Sequence, residues 1–106
     1  MGKYLITASY TADGAKGLLK DGGTKRREAA EQAIKSAGAR LEAFYFAFGD
    51  DDAYVIIDAP DHASVVAASV AINASGAVHS KTVVLLTPED MDLATKKSVT
   101  YRAPGH

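Results

Sequence analysis

An α+β fold built on one antiparallel sheet, with its helices on a single face, is predicted by three observations. Residues Phe44 to Asp58 read as two strands folded back on each other, because aromatic and β-branched residues flank a Gly49-Asp50-Asp51-Asp52 turn. Two further stretches, Lys3 to Tyr10 and Ala77 to Leu86, also read as strands. The segments that separate these from the hairpin carry apolar residues at helical spacing.

In chain order, Lys3 to Tyr10 sets Tyr4, Ile6 and Ala8 on one side and Leu5, Thr7 and Ser9 on the other, and is expected to be central in the sheet. Thr11 to Gly14 opens a helical segment containing Ala15, Leu18 and Leu19. Asp21-Gly22-Gly23 interrupts it, because paired glycines are unfavourable in a helix interior. Thr24 can then cap a second helix whose Ala29, Ala30, Ala33, Ile34 and Ala37 form an apolar stripe, ended by Gly38. With Phe48 and Ala53 bracketing the hairpin turn, Phe44, Phe46 and Phe48 share a face with Ile57, Val55 and Ala53. Ala43, Tyr45 and Ala47 share the other with Asp58, Ile56 and Tyr54.

Pro60 ends the hairpin's second strand. Asp61 can cap a helix carrying Val65, Val66, Ser69, Val70, Ile72 and Asn73 at helical spacing, closed by Ser75-Gly76. After the Ala77 to Leu86 strand, Thr87-Pro88 starts a short helix running to about Lys97. Residues 98–106 read as an extended tail attached to a domain of residues 1–97.

This order is β-α-β-β-α-β, the ferredoxin-like arrangement. Right-handed crossovers place both long helices on one face of the sheet, over the phenylalanine row. The Tyr45/Tyr54/Ile56 face is left uncovered, and such a face usually meets another subunit. Two sheets packed in that way form a dimeric α+β barrel with room for a small ligand.

The bulk numbers narrow the function classes. A chain of 106 residues makes one domain. A net charge of −1 with 24% charged residues argues against a general nucleic-acid or anionic-membrane role, which needs a clustered basic surface. The chain has no cysteine, which excludes disulfides, thiolate metal sites and cysteine nucleophiles and fits a cytoplasmic location. The N-terminal residues enter a strand pattern at once, so neither an export signal nor a membrane span is expected.

Four segments together resemble the GYD-domain proteins: residues 45–52 (Tyr-Phe-Ala-Phe-Gly-Asp-Asp-Asp), 58–61 (Asp-Ala-Pro-Asp), 73–76 (Asn-Ala-Ser-Gly) and 82–89 (Thr-Val-Val-Leu-Leu-Thr-Pro-Glu). The resemblance runs over nearly the whole chain and implies a dimeric α+β barrel-type domain in a largely uncharacterised family. The Gly-Tyr-Asp turn for which the family is named is altered here. Gly49 is followed by Asp50 and Asp51, so the resemblance attaches no chemistry to that turn.

Several constellations can carry chemistry. Tyr45, Tyr54, Asp58, Thr7 and Ser9 put hydroxyls around a carboxylate; a desolvated Asp58 beside a tyrosine would have a raised pKa and serve as a general base. The plainer reading packs the tyrosines at a subunit interface, with Asp58 at a strand end receiving backbone hydrogen bonds. His79 and Lys81 share one strand face, and pattern alone does not fix which. His79 is the first choice for a catalytic or haem-ligating side chain with Lys81 as electrostatic stabiliser, against simple solvation of both.

Gly22-Gly23-Thr24-Lys25-Arg26-Arg27 can cradle a phosphate or carboxylate with Gly23, Thr24, Arg26 and Arg27, or can be a helix break whose arginines pair with acidic residues of a second subunit. The Asp50-Asp51-Asp52 triplet reads as a solvated turn, since adjacent carboxylates lack the ligand spread of a calcium loop. No two histidines have metal-chelating helical spacing, so no structural metal is expected. The tail, with Tyr101 and Arg102, is either disordered or docked on a neighbour.

Two functions follow. One is a dimer that binds a small organic or anionic ligand and uses Tyr45, Asp58 or His79 in acid–base chemistry. The other is a non-enzymatic oligomeric binding or assembly module. In both the expected partner is a second copy of the chain, with neither nucleic acid nor membrane involved; Lys25, Arg26 and Arg27 make too small a basic patch.

Overall fold

The computed structural model describes residues 2–106, with Met1 outside them. The elements are β1 (Gly2–Tyr10), α1 (Ala12–Ser36), β2 (Arg40–Phe46), β3 (Ala53–Ala59), α2 (His62–Ala74), β4 (Val78–Leu85) and α3 (Pro88–Thr95). The strands form one antiparallel sheet in the order β2-β3-β1-β4, with β1 inside it as its alternation predicts. This is the expected ferredoxin-like arrangement, with a further short helix and a tail.

Local chemistry sets the element ends. Thr11 caps α1 by accepting a hydrogen bond from the Gly14 amide at 3.2 Å. Gly22, at φ 82° and ψ 175°, leaves the helical region and kinks α1, a conformation open to glycine because it has no Cβ. Only Gly22 departs, so Thr24 lies inside the second segment rather than capping it. Gly38 (φ 88°) reverses the chain so that the Ala39 amide reaches back to the Ile34 carbonyl at 3.1 Å. Asp61 caps α2 through the Ser64 amide, and Thr87 and Asp90 form a reciprocal capping box at the start of α3.

The core lies between the sheet and the helices. Tyr4, Ile6, Leu41, Val55 and Ile57 meet Ile34 of α1 and Val65 and Ala68 of α2, and Ile57 is fully buried. Burying one such side chain contributes about 1.5–3 kcal/mol. The hairpin pairs Phe44 with Val55, Tyr45 with Tyr54 and Phe46 with Ala53; Phe46 rather than Phe48 stands opposite Ala53, two residues from the expected register, while the faces keep the predicted parity. Phe48 departs from it. β2 stops at Phe46, and Phe48 stands fully exposed in the connecting loop. The Ala-rich helices also blur the expected stripes, because small residues surround the axis: Ala29, Val66 and Val70 face outward.

β2 carries a bulge between Leu41 and Ala43. Glu42 is the extra residue, and its insertion lets both Leu41 and Phe44 turn towards the helices although they are three apart.

The acidic turn is more than solvated. Asp52 accepts from the Tyr10 amide at 2.8 Å and donates its own amide to the Ala8 carbonyl at 2.8 Å, while Asp51 accepts from the Ser9 hydroxyl at 3.2 Å. The loop therefore fastens onto the end of β1.

From Leu86 onward no residue is buried. The radius of gyration is 17.0 Å with extents of 56 × 32 × 22 Å, against about 13 Å for a compact chain of this length. α3 and the tail project from the body as an arm.

Candidate functional site

The open face of the sheet collects every strand-borne residue nominated from the sequence. By register, Tyr45, Tyr54, Thr7 and Lys81 form one row across the four strands. Ala43, Ile56, Leu5 and Val83 form the next, and Arg40, Asp58, Lys3 and Leu85 the one after. Ser9 and His79 lie on the other side of the tyrosine row. His79 and Lys81 thus share the tyrosine face, the point that alternation alone left open.

Sharing a face does not make one site. His79 is level with Ser9 and Asp58 with Lys3, six residues along β1 or about 20 Å. The tyrosines sit towards the β2 side, and His79 is exposed on the far edge strand. His79 itself lines none of the cavities described below.

Asp58 is held as a carboxylate. It is 6% exposed and accepts from Lys3 Nζ at 3.2 Å and from Arg40 at 2.5 Å, while Lys3 also donates to Glu42 at 2.8 Å. The hydrogen bond from the Lys3 ammonium, aided by the charges of Lys3 and Arg40, outweighs desolvation and lowers its pKa below the usual 3.8. The shift is the reverse of the raised pKa expected for Asp58. Its directly opposed cross-strand partners are cations, which the pairing of distant strands brings together and no local pattern reveals. Lys3 shifts the other way, raised by Glu42 first and then Asp58.

A second candidate site lies on the helix side. The Thr11 amide donates to the Ala77 carbonyl at 3.0 Å, and the Thr11 hydroxyl to the Gly76 carbonyl at 2.8 Å. Gly14 is pressed so closely on this turn that a Cβ there would stand 2.0 Å from the Ala77 oxygen. Between this pinned start and the kink at Gly22, α1 spans a cleft of about 280 Å³. Leu18, Ile72 and Val78 give it apolar walls, and Tyr10, Asp13, Asp21, Ser75 and Arg26 supply its polar groups. A recess of about 30 Å³ shares Tyr10, Arg26, Ile72 and Val78 and continues inward to Ile6 and Val55.

Arg26 is the one member of the predicted anion cradle that turns into this cleft. Its guanidinium carbon stands 5.8 Å from the Tyr10 ring centroid, and its Nε donates to the Tyr10 hydroxyl at 3.4 Å. Among the described residues it makes no ion pair. Arg27 instead approaches Glu31 at 3.8 Å, Gly23 packs on the Phe46 ring, and Thr24 is exposed, so those three do not line the cleft. Tyr10 was missed as a site residue because it reads simply as the end of a strand.

Sequence reasoning also missed a hydrogen bond between the buried Tyr4 hydroxyl and His62 Nδ1, 2.7 Å long with the rings edge to face. Tyr4 reads as core and His62 as the start of a helix, and only the β1–α2 packing joins them.

The model of the GYD domain matches residues 4–95. Among solved structures, one titled as the crystal structure of MtbAldR is similar, with a TM-score of 0.55 at 17% identity over 97% of this chain and 57% of that one. The chain thus spans a little over half the length of that relative, and the likeness is one of fold. A comparison with curated proteins returned no match.

Proposed function

The chain belongs to the GYD domain family, and from that premise we propose that it is a self-associating α+β module that holds a small organic ligand with an anionic group in the cleft beneath the first half of α1. The observation that carries this reading is Arg26, set against the Tyr10 ring in a largely apolar cleft with no carboxylate of the described residues paired to it. A guanidinium in such surroundings favours a carboxylate or phosphate, because charge-assisted hydrogen bonds strengthen as water is excluded. The volume of about 280 Å³ suits a ligand at the small end of the usual range of about 300–1,000 Å³. Asp13 and Asp21 at the rim favour one that also carries a donor or a positive group.

Self-association is supported by the open face. Tyr45 and Val83 are 71% and 50% exposed there, beside half-buried Leu5 and Ile56, and a second sheet packed on this row would close an α+β barrel. Binding without catalysis is the reading we prefer, because Tyr45, Asp58 and His79 stand apart along the sheet and the Asp58 carboxylate is paired with Lys3 and Arg40.

Thermal shift against a panel of small carboxylates and phosphates, with and without a primary amine, tests the proposal. At least one member should stabilise the wild type, and Arg26→Ala should weaken its binding about tenfold or more, a loss of about 1.5–3 kcal/mol. Equal stabilisation of the variant, or no response of the wild type to any of the panel, would overturn the cleft assignment.

A further inference from the structure

The two edges of the sheet are not equally protected. β2 is disrupted by its bulge and carries Arg40 and Glu42, two of the devices that blunt an edge against pairing. On β4, Asn73 of α2 covers the first part: its Oδ1 accepts from the Ser80 amide at 2.8 Å while its Nδ2 donates to Ser80 Oγ at 3.0 Å. The Ser80 amide therefore points away from β1, and by the strand's period of two so do the amides of Thr82 and Val84. No described residue outside the sheet bonds to them. Beside this bare edge, on the helix side, runs an apolar trough of about 380 Å³ lined by Tyr4, His62, Val66, Ser69 and Val84 among others.

The same chain carries a segment suited to such an edge. In Ser98-Val99-Thr100-Tyr101-Arg102-Ala103 polar and apolar residues alternate strictly, the pattern of a half-buried strand. Yet Val99 and Tyr101 are 78% and 66% exposed, and nothing in the described chain covers them. α3 has no buried residue either, and a helix of eight residues is marginal in water unless it packs on something. The arm does not turn back to its own trough. Thr87 is extended (φ −78°, ψ 161°), as the residue before a proline tends to be, and the capping box fixes the direction in which α3 departs.

We infer that residues 98–103 of a second copy lie along the outer edge of β4 as a fifth strand, bonding to Thr82 and Val84, with Val99 and Tyr101 seated in the trough. This is strand addition between identical chains, with an element exchanged across the assembly. It rests on the self-association proposed above and adds which segment meets which surface.

Amide hydrogen exchange at Thr82 and Val84 tests this in the full chain, alongside a full-length variant carrying Val99→Pro and Thr100→Pro. Adjacent prolines remove a donor from either side of the added strand. Sedimentation velocity supplies the subunit number under the same conditions. Exchange at both amides should be at least about tenfold slower in the wild type than in the variant, and should quicken as dilution dissociates the oligomer. An oligomer whose two amides exchange equally fast in both proteins refutes strand addition and leaves self-association standing. Slow exchange in a monomer, or slow exchange retained in the variant, refutes the exchanged tail. A wild type that is monomeric with fast exchange refutes both.

Discussion

The two faces of this sheet are built from interleaved residues of the same strands, yet they differ in what a substitution should do. Towards the helices, Ile57 is wholly buried against Ile34 and Val65, and the face is closed by its own chain. Towards solvent, Tyr45 and Val83 stand open, and the polar contacts gather in the Arg40–Asp58–Lys3–Glu42 network at one end. One face holds the monomer together, while the other contributes little to it and has apolar surface left over for a partner. Residue spacing of two along a strand is enough to separate these roles.

The contrast is tested most severely by Ile57→Ala. It should destabilise the protein by about 2–5 kcal/mol, visible as a lower chemical-denaturation midpoint with an unchanged slope. A loss below about 1 kcal/mol would mean that the helix side is not the core.

Asp58→Asn should have a smaller effect, and a pH-dependent one. The carboxyl titrates below 3.8 when folded, so the stability it contributes is fully present above its unfolded value and is lost as pH falls through the lower folded value. The variant should melt below the wild type at pH 7, with the gap closing as pH falls below about 4, seen in melting curves across that range. A gap that stays constant with pH would show that the Lys3 and Arg40 contacts do not act through charge.

Tyr45→Ala should move stability least, within about 0.5 kcal/mol at protein concentrations where the chain is monomeric. It should nevertheless weaken self-association in sedimentation, the opposite pattern to Ile57→Ala. An unchanged subunit number would remove the open face from the interface and sharpen the case for the β4 edge alone.

The legible parts of this sequence were those decided by neighbours in the chain. Alternation in Lys3 to Tyr10 and across the hairpin put Tyr45 and Tyr54 on one face, although their direct pairing lies two residues from the expected register, and Gly22 marked the kink in α1. Contacts between distant segments were not legible. Asp58 meets Lys3 across 55 residues, Tyr4 meets His62 across 58 and Tyr10 meets Asp52 across 42, and each pairing reverses or adds to what the residue alone suggests. The helix faces were misjudged for another reason. In α2 alanines and valines surround the axis, so hydrophobic spacing cannot choose between Val65, which is buried, and Val66, which is not. Phe48 shows a third limit: an aromatic in phase with a strand still falls outside it when the loop takes over, here drawn back by Asp52 onto β1.

The irregularity in β2 leaves this strand room for a change in length. Because Glu42 is the surplus residue opposite an unbroken β3, a homologue one position shorter at that point would keep Arg40 facing Asp58 and Leu41 beside Phe44 on the inner layer. Deletions within strands ordinarily invert everything upstream; this one would leave the pattern intact, so a gap at that column in aligned relatives would mark a straightened edge rather than a different architecture.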